Sequence, residues 1–297
     1  MDLIKKTSFN FLGNRMRGYL FSCGVIIAGI AVFFARGPLN NFGTDFTGGD
    51  LLHITLTRSV DVAEIRSVAA QSGAGEVVVQ SIGTRGDEFI LKSKPETSDL
   101  LRTALQKTYG SGGFQVIGSS TVAPAMSGTL RKKSLRAFLF GVIGILLYLS
   151  FRFEFRFAVT ATVALLHDIL FTAAVLAFAG RQIDASVIAG FLTIVGYSVN
   201  DKVVVFDRIR ENIKGSRSTD YLVLFNQSIN EVFGRTLLTG VAVMAVLLCL
   251  FLMGGEPLHS ISLCLLSGFI VGTYSSIFIA TALLLDWNRI SPHRFKL

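Results

Sequence analysis

Six stretches of this chain are long and apolar enough to cross a membrane, and that feature decides most of what the chain can fold into. A helix rises about 1.5 Å per residue, so a hydrocarbon layer of about 30 Å takes about 20 apolar residues. The stretches fall near 18–36, 135–151, 157–179, 183–206, 236–253 and 261–287. Across the chain 51% of residues are hydrophobic and only 16% are charged, against about a quarter charged in a soluble domain. The expectation is an α-helical polytopic membrane protein of six transmembrane helices. Residues 1–36 form the N-terminus and first span, 37–134 a small soluble domain, 135–287 the other five spans and 288–297 a tail. Lys5, Lys6, Arg15 and Arg17 precede the first stretch, as they would in a signal peptide. Its apolar run is longer than the 7–15 residues of a signal core, and no small-x-small cleavage pattern follows, so an uncleaved anchor is expected.

The net charge of +8 is organised by topology and does not form a nucleic-acid footprint. Short cytoplasmic loops collect Lys and Arg, whereas long translocated segments largely escape that bias. With the N-terminus inside, that side holds Lys5, Lys6, Arg15, Arg17, Arg152, Arg156, Arg208, Arg210, Lys214, Arg217, Arg235, Arg289, Arg294 and Lys296. The two short loops on the other side hold Arg181 alone. Both termini are therefore expected in the cytoplasm and residues 37–134 outside it. Arg131, Lys132, Lys133 and Arg136 run against this count, but they end the long translocated segment, where the bias is weak. Cys23, Cys249 and Cys264 all lie in spans, so neither a disulfide framework nor metal-ligand spacing is present.

Residues 37–134 read as strand, helix, strand, strand, helix, strand. The strands are expected at 51–56, 76–82, 88–91 and 114–122, with a turn at 83–87. Asp61 and Glu64 suit a capping box before a helix that carries Val62, Ile65 and Ala69 on one face. A second helix, 97–109, should stop at Gly110. That order is the ferredoxin-like split βαβ. His53 is its only histidine, and the segment offers no nucleophile set, phosphate loop or cofactor fingerprint, so neither an enzyme nor a cofactor is expected. Between the fourth and fifth spans, Leu222, Phe225, Ile229 and Val232 recur at helical spacing. A short amphipathic helix lying along the inner interface is expected there, as an anchor or a docking surface for a partner.

Ionisable groups at membrane depth carry the functional signal. His167 and Asp168 lie mid-way along the third stretch, and Asn200, Asp201 and Lys202 lie near the inner end of the fourth. An ionised Asp at a helix centre costs about 2.5–3.5 kcal/mol on insertion scales. Such residues face a bundle interior or water path, and they mark proton or ion routes or hold helices together by hydrogen bonds. Small and polar residues share their faces: Ala161, Ala164 and Thr172 with Asp168, and Ser186, Gly190, Thr193 and Tyr197 with Asp201. In the last span Gly268, Gly272 and Ser275 form another close-approach face. Arg235 opens the fifth span, placed either to snorkel to phosphates or to reach toward Asp201.

Several runs resemble the SecD/SecF family of protein-export membrane proteins. Phe42-Gly-Thr-Asp-Phe-Thr-Gly-Gly49 is similar to the family's DFxGG signature, whose residues here are Asp45, Phe46, Gly48 and Gly49. The run from Gly196 to Asn212 is similar to the fourth-span signature of the SecF branch. Leu166–Ile169, Phe151–Arg156, Arg235–Thr239 and Gly272–Ser276 match as well. The resemblance implies half of a twelve-span transporter of the resistance-nodulation-division superfamily. Its implied partners are a SecD-like subunit, the SecYEG channel, translocating preproteins, membrane lipid and a small accessory membrane subunit. It implies use of the proton-motive force, with Asp201 as protonatable carboxylate and Arg235 as its charge modulator, while Asp168, from its place at membrane depth, is the further coupling candidate. His167, Asn200 and Lys202 are possible modulators. Lys202 departs from the pattern, standing where a small hydroxyl residue belongs, and pairing with Asp201 is one expectation for it. The competing classes are half of a small-molecule or lipid exporter and a purely structural membrane subunit.

Overall fold

A computed structural model describes residues 8–82, 85–216 and 220–292. Lys5, Lys6, Arg217, Arg294 and Lys296 of the charge count, and Gly83 and Thr84 of the expected turn, lie outside the described residues. Along the chain a 3-10 turn, Leu12–Asn14, leads into α1 (Arg15–Arg36), followed by the short α2 (Pro38–Asn41) and α3 (Thr44–Thr47). The soluble segment continues as β1 (Gly49–Leu56), α4 (Val62–Gln71), β2 (Val78–Ile82), β3 (Glu88–Ser93), α5 (Ser98–Tyr109) and β4 (Phe114–Val122). Then come α6 (Pro124–Arg152), α7 (Phe155–Phe178), α8 (Ala185–Gly215), α9 (Tyr221–Met253) and α10 (Glu256–Ser275). A π-helical turn, Ser276–Ala280, joins α10 to α11 (Thr281–Ile290).

Among the described residues six helices are long and apolar enough to cross a membrane: Leu12–Arg36, Ala125–Arg152, Phe155–Phe178, Ala185–Gly215, Tyr221–Met253 and Leu258–Ile290. Helices suit that environment because each satisfies its own backbone polar groups where water is absent. Half of the apolar window is buried in α7 and in α8, and 61% in the last span, against 6% in α6 and 17% in α1 and α9. The third, fourth and sixth spans therefore form the centre of the bundle and the others its flanks.

One expected element is absent as such. The amphipathic stretch after the fourth span is no separate interfacial helix: α8 runs on to Gly215, and α9 continues unbroken from Tyr221 to Met253. Asp220 starts α9 by accepting from the N–H groups of Leu222 and Val223. Of the expected stripe, Phe225 and Ile229 are buried in one cluster with Phe206 and Ile209 of α8, and Leu222 and Val232 pack against that cluster. Arg208 bonds Glu231 at 2.6 Å, and Asn212 bonds Ser228 at 2.9 Å, closing α8 and α9 into a hairpin.

The soluble unit is the expected ferredoxin-like βαββαβ. Its antiparallel sheet has the order β2-β3-β1-β4. Leu52, Ile54 and Leu56 alternate inward on β1 and meet Phe89 and Leu91 of β3, Ile65, Val68 and Ala69 of α4, and Leu101 and Leu105 of α5. Asp61 caps α4 through Ala63 N at 3.0 Å. Glu64 does not complete a capping box, because its carboxylate accepts from Arg58 at 3.1 Å and from the Tyr109 hydroxyl at 3.0 Å. Gly110, at φ +73°, ends α5 as expected. His53 Nε2 lies 2.8 Å from Glu88 Oε1, a surface pair across neighbouring strands.

Candidate functional site

The site is built where α7, α8 and α10 come closest, and small residues permit that approach. Ala161, Ala164, Asp168 and Thr172 line the buried face of α7. On α8 the buried face is Gly190, Ile194, Ser198, Asp201, Lys202 and Val205. Thr193 of the expected α8 stripe is exposed and takes no part in it. A Cβ added at Gly268 would collide with the Ile194 side chain, and one at Gly272 would stand 3.0 Å from Ser198 Oγ. Glycine at both positions is what lets α10 lie against α8.

Within this packing Lys202 and Asp168 form an ion pair, Nζ to Oδ2 at 2.8 Å, with side chains 0% and 1% exposed. The ammonium also donates to Ser198 Oγ at 2.5 Å and to Ser275 Oγ at 2.9 Å. An ammonium has three donors, and all three are used. The Ser198 hydroxyl donates a hydrogen bond to Asp168 Oδ2 at 2.6 Å, while the Ser275 hydroxyl donates to the Gly272 carbonyl at 3.1 Å. His167 Nδ1 lies 3.0 Å from Asp168 Oδ1, and its ring packs against Phe171 and Tyr274. The far nitrogen of His167 is buried with no partner among the described residues.

Asp201 stands apart from that network. It is 2% exposed, accepts one hydrogen bond from Thr273 Oγ1 at 3.0 Å, and makes no ion pair among the described residues. The Thr273 and Tyr197 hydroxyls converge beside Gly240 of α9, 3.6 and 3.7 Å from where a Cβ would stand there. Two expectations change here. Lys202 pairs with Asp168 and not with Asp201, because consecutive helix residues point about 100° apart. Arg235 does not reach Asp201: its side chain is exposed, while Thr236 and Gly240 supply the buried side of α9. Asn200 is likewise exposed and belongs to neither network.

Ser198 and Thr273 had not been singled out from the sequence. Ser198 lies one turn before Lys202, and Thr273 lies in the Gly272–Ser276 run, so spacing and motif each held a signal. The π turn begins directly after Ser275, and Thr281 Oγ1 donates back five residues to the Ser276 carbonyl at 2.7 Å. Such turns recur at functional positions in helices. The signature residues Asp45, Phe46, Gly48 and Gly49 lie in the soluble unit: Phe46 is buried, Gly48 and Gly49 hold φ of +71° and +124°, and Asp45 bonds the start of α8.

Six apolar helices, a ferredoxin-like insertion after the first and ionisable groups inside the bundle define a multi-pass membrane protein of the transport class. The family model described as protein export membrane protein SecD/SecF, C-terminal, matches residues 102–290. The protein translocase subunit SecF of Desulfurispirillum indicum is 37% identical over 95% of this chain and 94% of its own length. The protein translocase subunit SecDF of Thermus thermophilus is 37% identical over 94% of this chain and 38% of its own length. The crystal structure of SecDF from that organism, described as a translocon-associated membrane protein, superposes with a TM-score of 0.86 at 35% identity, covering 95% of this chain. This chain spans 39% of that structure's chain. The chain belongs to the SecD/SecF family of protein-export membrane proteins.

Proposed function

We propose that this chain is the SecF-type half of a two-part export device in a bacterial inner membrane. Paired with a SecD-like subunit beside the SecYEG channel, it uses the proton-motive force to promote preprotein movement and release on the outer side. Both termini face the cytoplasm, the ferredoxin-like unit lies outside, and the chain works by changing conformation, with no covalent chemistry of its own. Single-chain SecDF relatives, of which this chain spans about two-fifths, support the pairing. So does the exposure of Thr193 and Asn200 on α8 and of Arg235 and Thr239 on α9. Polar groups at membrane depth are costly in lipid, and a second half-bundle would cover them. In that assembly Arg235 acts across the interface with the partner.

The observation that carries the reading is Asp201, a buried carboxylate inside a span with one hydroxyl donor and no ion-pair partner among the described residues. Asp168 is neutralised by Lys202, so Asp201 is the carboxylate free to gain and lose a proton without breaking a pair. Asp201→Asn should assemble with its partner yet lose gradient-stimulated preprotein release from vesicles, and Asp201→Glu should keep part of it. Full stimulation in the Asn variant, measured with and without an imposed proton gradient, would remove Asp201 as the coupling group. Loss of assembly would make it a structural residue.

A further inference from the structure

Three oxygens from three helices surround the Lys202 ammonium: Asp168 Oδ2 of α7, Ser198 Oγ of α8 and Ser275 Oγ at the end of α10. Both serine protons point elsewhere, one to Asp168 Oδ2 and one to the Gly272 carbonyl. The two hydroxyls therefore turn lone pairs toward Nζ. Neither of those hydrogen bonds involves Lys202, so the oxygens are held in place without it. The second oxygen of Asp168 is engaged by His167 Nδ1 at 3.0 Å and faces away from the ammonium. The lysine fills a cage of acceptors that its neighbours build.

A set made only of carboxylate and hydroxyl oxygens suits a hard cation. Charge decides which class of cation. The cage holds one carboxylate, so a monovalent ion leaves it neutral, whereas a divalent ion would leave an uncancelled charge inside the bundle. Among the described residues no other charged side chain bonds the ammonium, and Lys202 is 0% exposed. We infer that this cage is an alkali-cation site which Lys202 occupies from within, and that Lys202 is a specificity-determining residue. While its ammonium is in place, the cage takes no free sodium or potassium. Asp201 bonds Thr273 and lies outside the cage. The site therefore stands whether or not Asp201 responds to a gradient, and only its consequence for coupling rests on the proton-coupled reading above.

Thermal unfolding of the full chain in detergent tests the cage directly, in sodium, potassium and choline chloride at equal ionic strength. Choline is too large to enter. The parent should unfold at one temperature in all three salts. Lys202→Ser removes the ammonium and leaves the lining of oxygens, so it should gain about 4 °C or more in an alkali salt over choline. The salt that gives the larger gain names the ion. Lys202→Met fills the space with neither charge nor oxygen, and Lys202→Ser combined with Asp168→Asn lacks the carboxylate. Both should show no gain. Equal behaviour of Lys202→Ser in the three salts overturns the inference and leaves the lysine as a packing device. A similar gain in Lys202→Met overturns it by placing the ion elsewhere, and a gain in the parent overturns it because the cage would then be open. If Lys202→Ser does not fold in choline, its recovery with an alkali salt present throughout supports the site, and failure in all three salts overturns it. In vesicles with the SecD-like partner, proton-driven preprotein release by the parent should be the same in sodium and in choline. A parent that needs sodium overturns the specificity role. Retained stimulation in Asp201→Asn defeats the coupling reading alone and leaves the unfolding result untouched.

Discussion

Lys202 has three ammonium protons, and the fold provides three oxygens for them, on Asp168, Ser198 and Ser275. Removing one partner of such a pair leaves a buried charge uncompensated, at a cost of about 3–5 kcal/mol, whereas replacing both is far milder. Lys202→Met should therefore destabilise the protein by about that amount, and adding Asp168→Asn should recover a large part of it. Denaturant titration in mixed micelles measures the cycle, and strictly additive single effects would show that the two residues do not act as a unit. Asp168, Asp201 and Lys202 were all legible in the sequence, because an ionisable group inside an apolar run is conspicuous by its insertion cost. Which of them pair was not legible. Adjacent residues diverge on a helix, so the choice between Asp168 and Asp201 depends on which neighbour each face meets, and only the packing of α7, α8 and α10 decides that.

The helices show the same division. Hydropathy located every span, but it could not say what covers an amphipathic face. The stripe of Leu222, Phe225, Ile229 and Val232 looked ready to lie on lipid, and in the fold it packs into one cluster with residues of α8, within a single long α9. Contact between helices is decided at particular small residues, and α1 holds an internal comparison. A Cβ at Gly29 would overlap both Cβ and Cα of Ala174 on α7, whereas at Gly24 it would meet nothing within 4 Å. Gly29→Ala should thus cost about 1–3 kcal/mol by overpacking against backbone that cannot rotate away. Gly24→Ala should be neutral or stabilising, since alanine is the better helix former by about 1 kcal/mol. Thermal unfolding of the two variants in detergent separates them, and equal behaviour would mean α1 does not press on α7 at Gly29.

At the level of the whole chain, the strand and helix order of the soluble unit was readable from alternation and capping residues, and β4 has the bounds the sequence implied. The side of the membrane on which it stands rests on the Lys and Arg distribution alone. A reporter fused near Gly86 should be active only outside the cytoplasm, and fusions near Lys214 or after Leu297 only inside. Activity of the Lys214 fusion outside would break the six-span topology and with it the orientation proposed for export.

The Asp168–Lys202 pair has one further consequence, which concerns electrical work. Its two charges cancel, so carrying it along the bilayer normal exchanges almost no energy with the transmembrane voltage. A single uncancelled charge crossing 100 mV exchanges about 2.3 kcal/mol, which tilts two states by about 45-fold at roughly 1.4 kcal/mol per decade. The pair thus joins α7 and α8 without offering the voltage a net charge. Of the carboxylates on these two helices' buried faces, Asp201 is the one whose charge, when ionised, no ion pair among the described residues cancels.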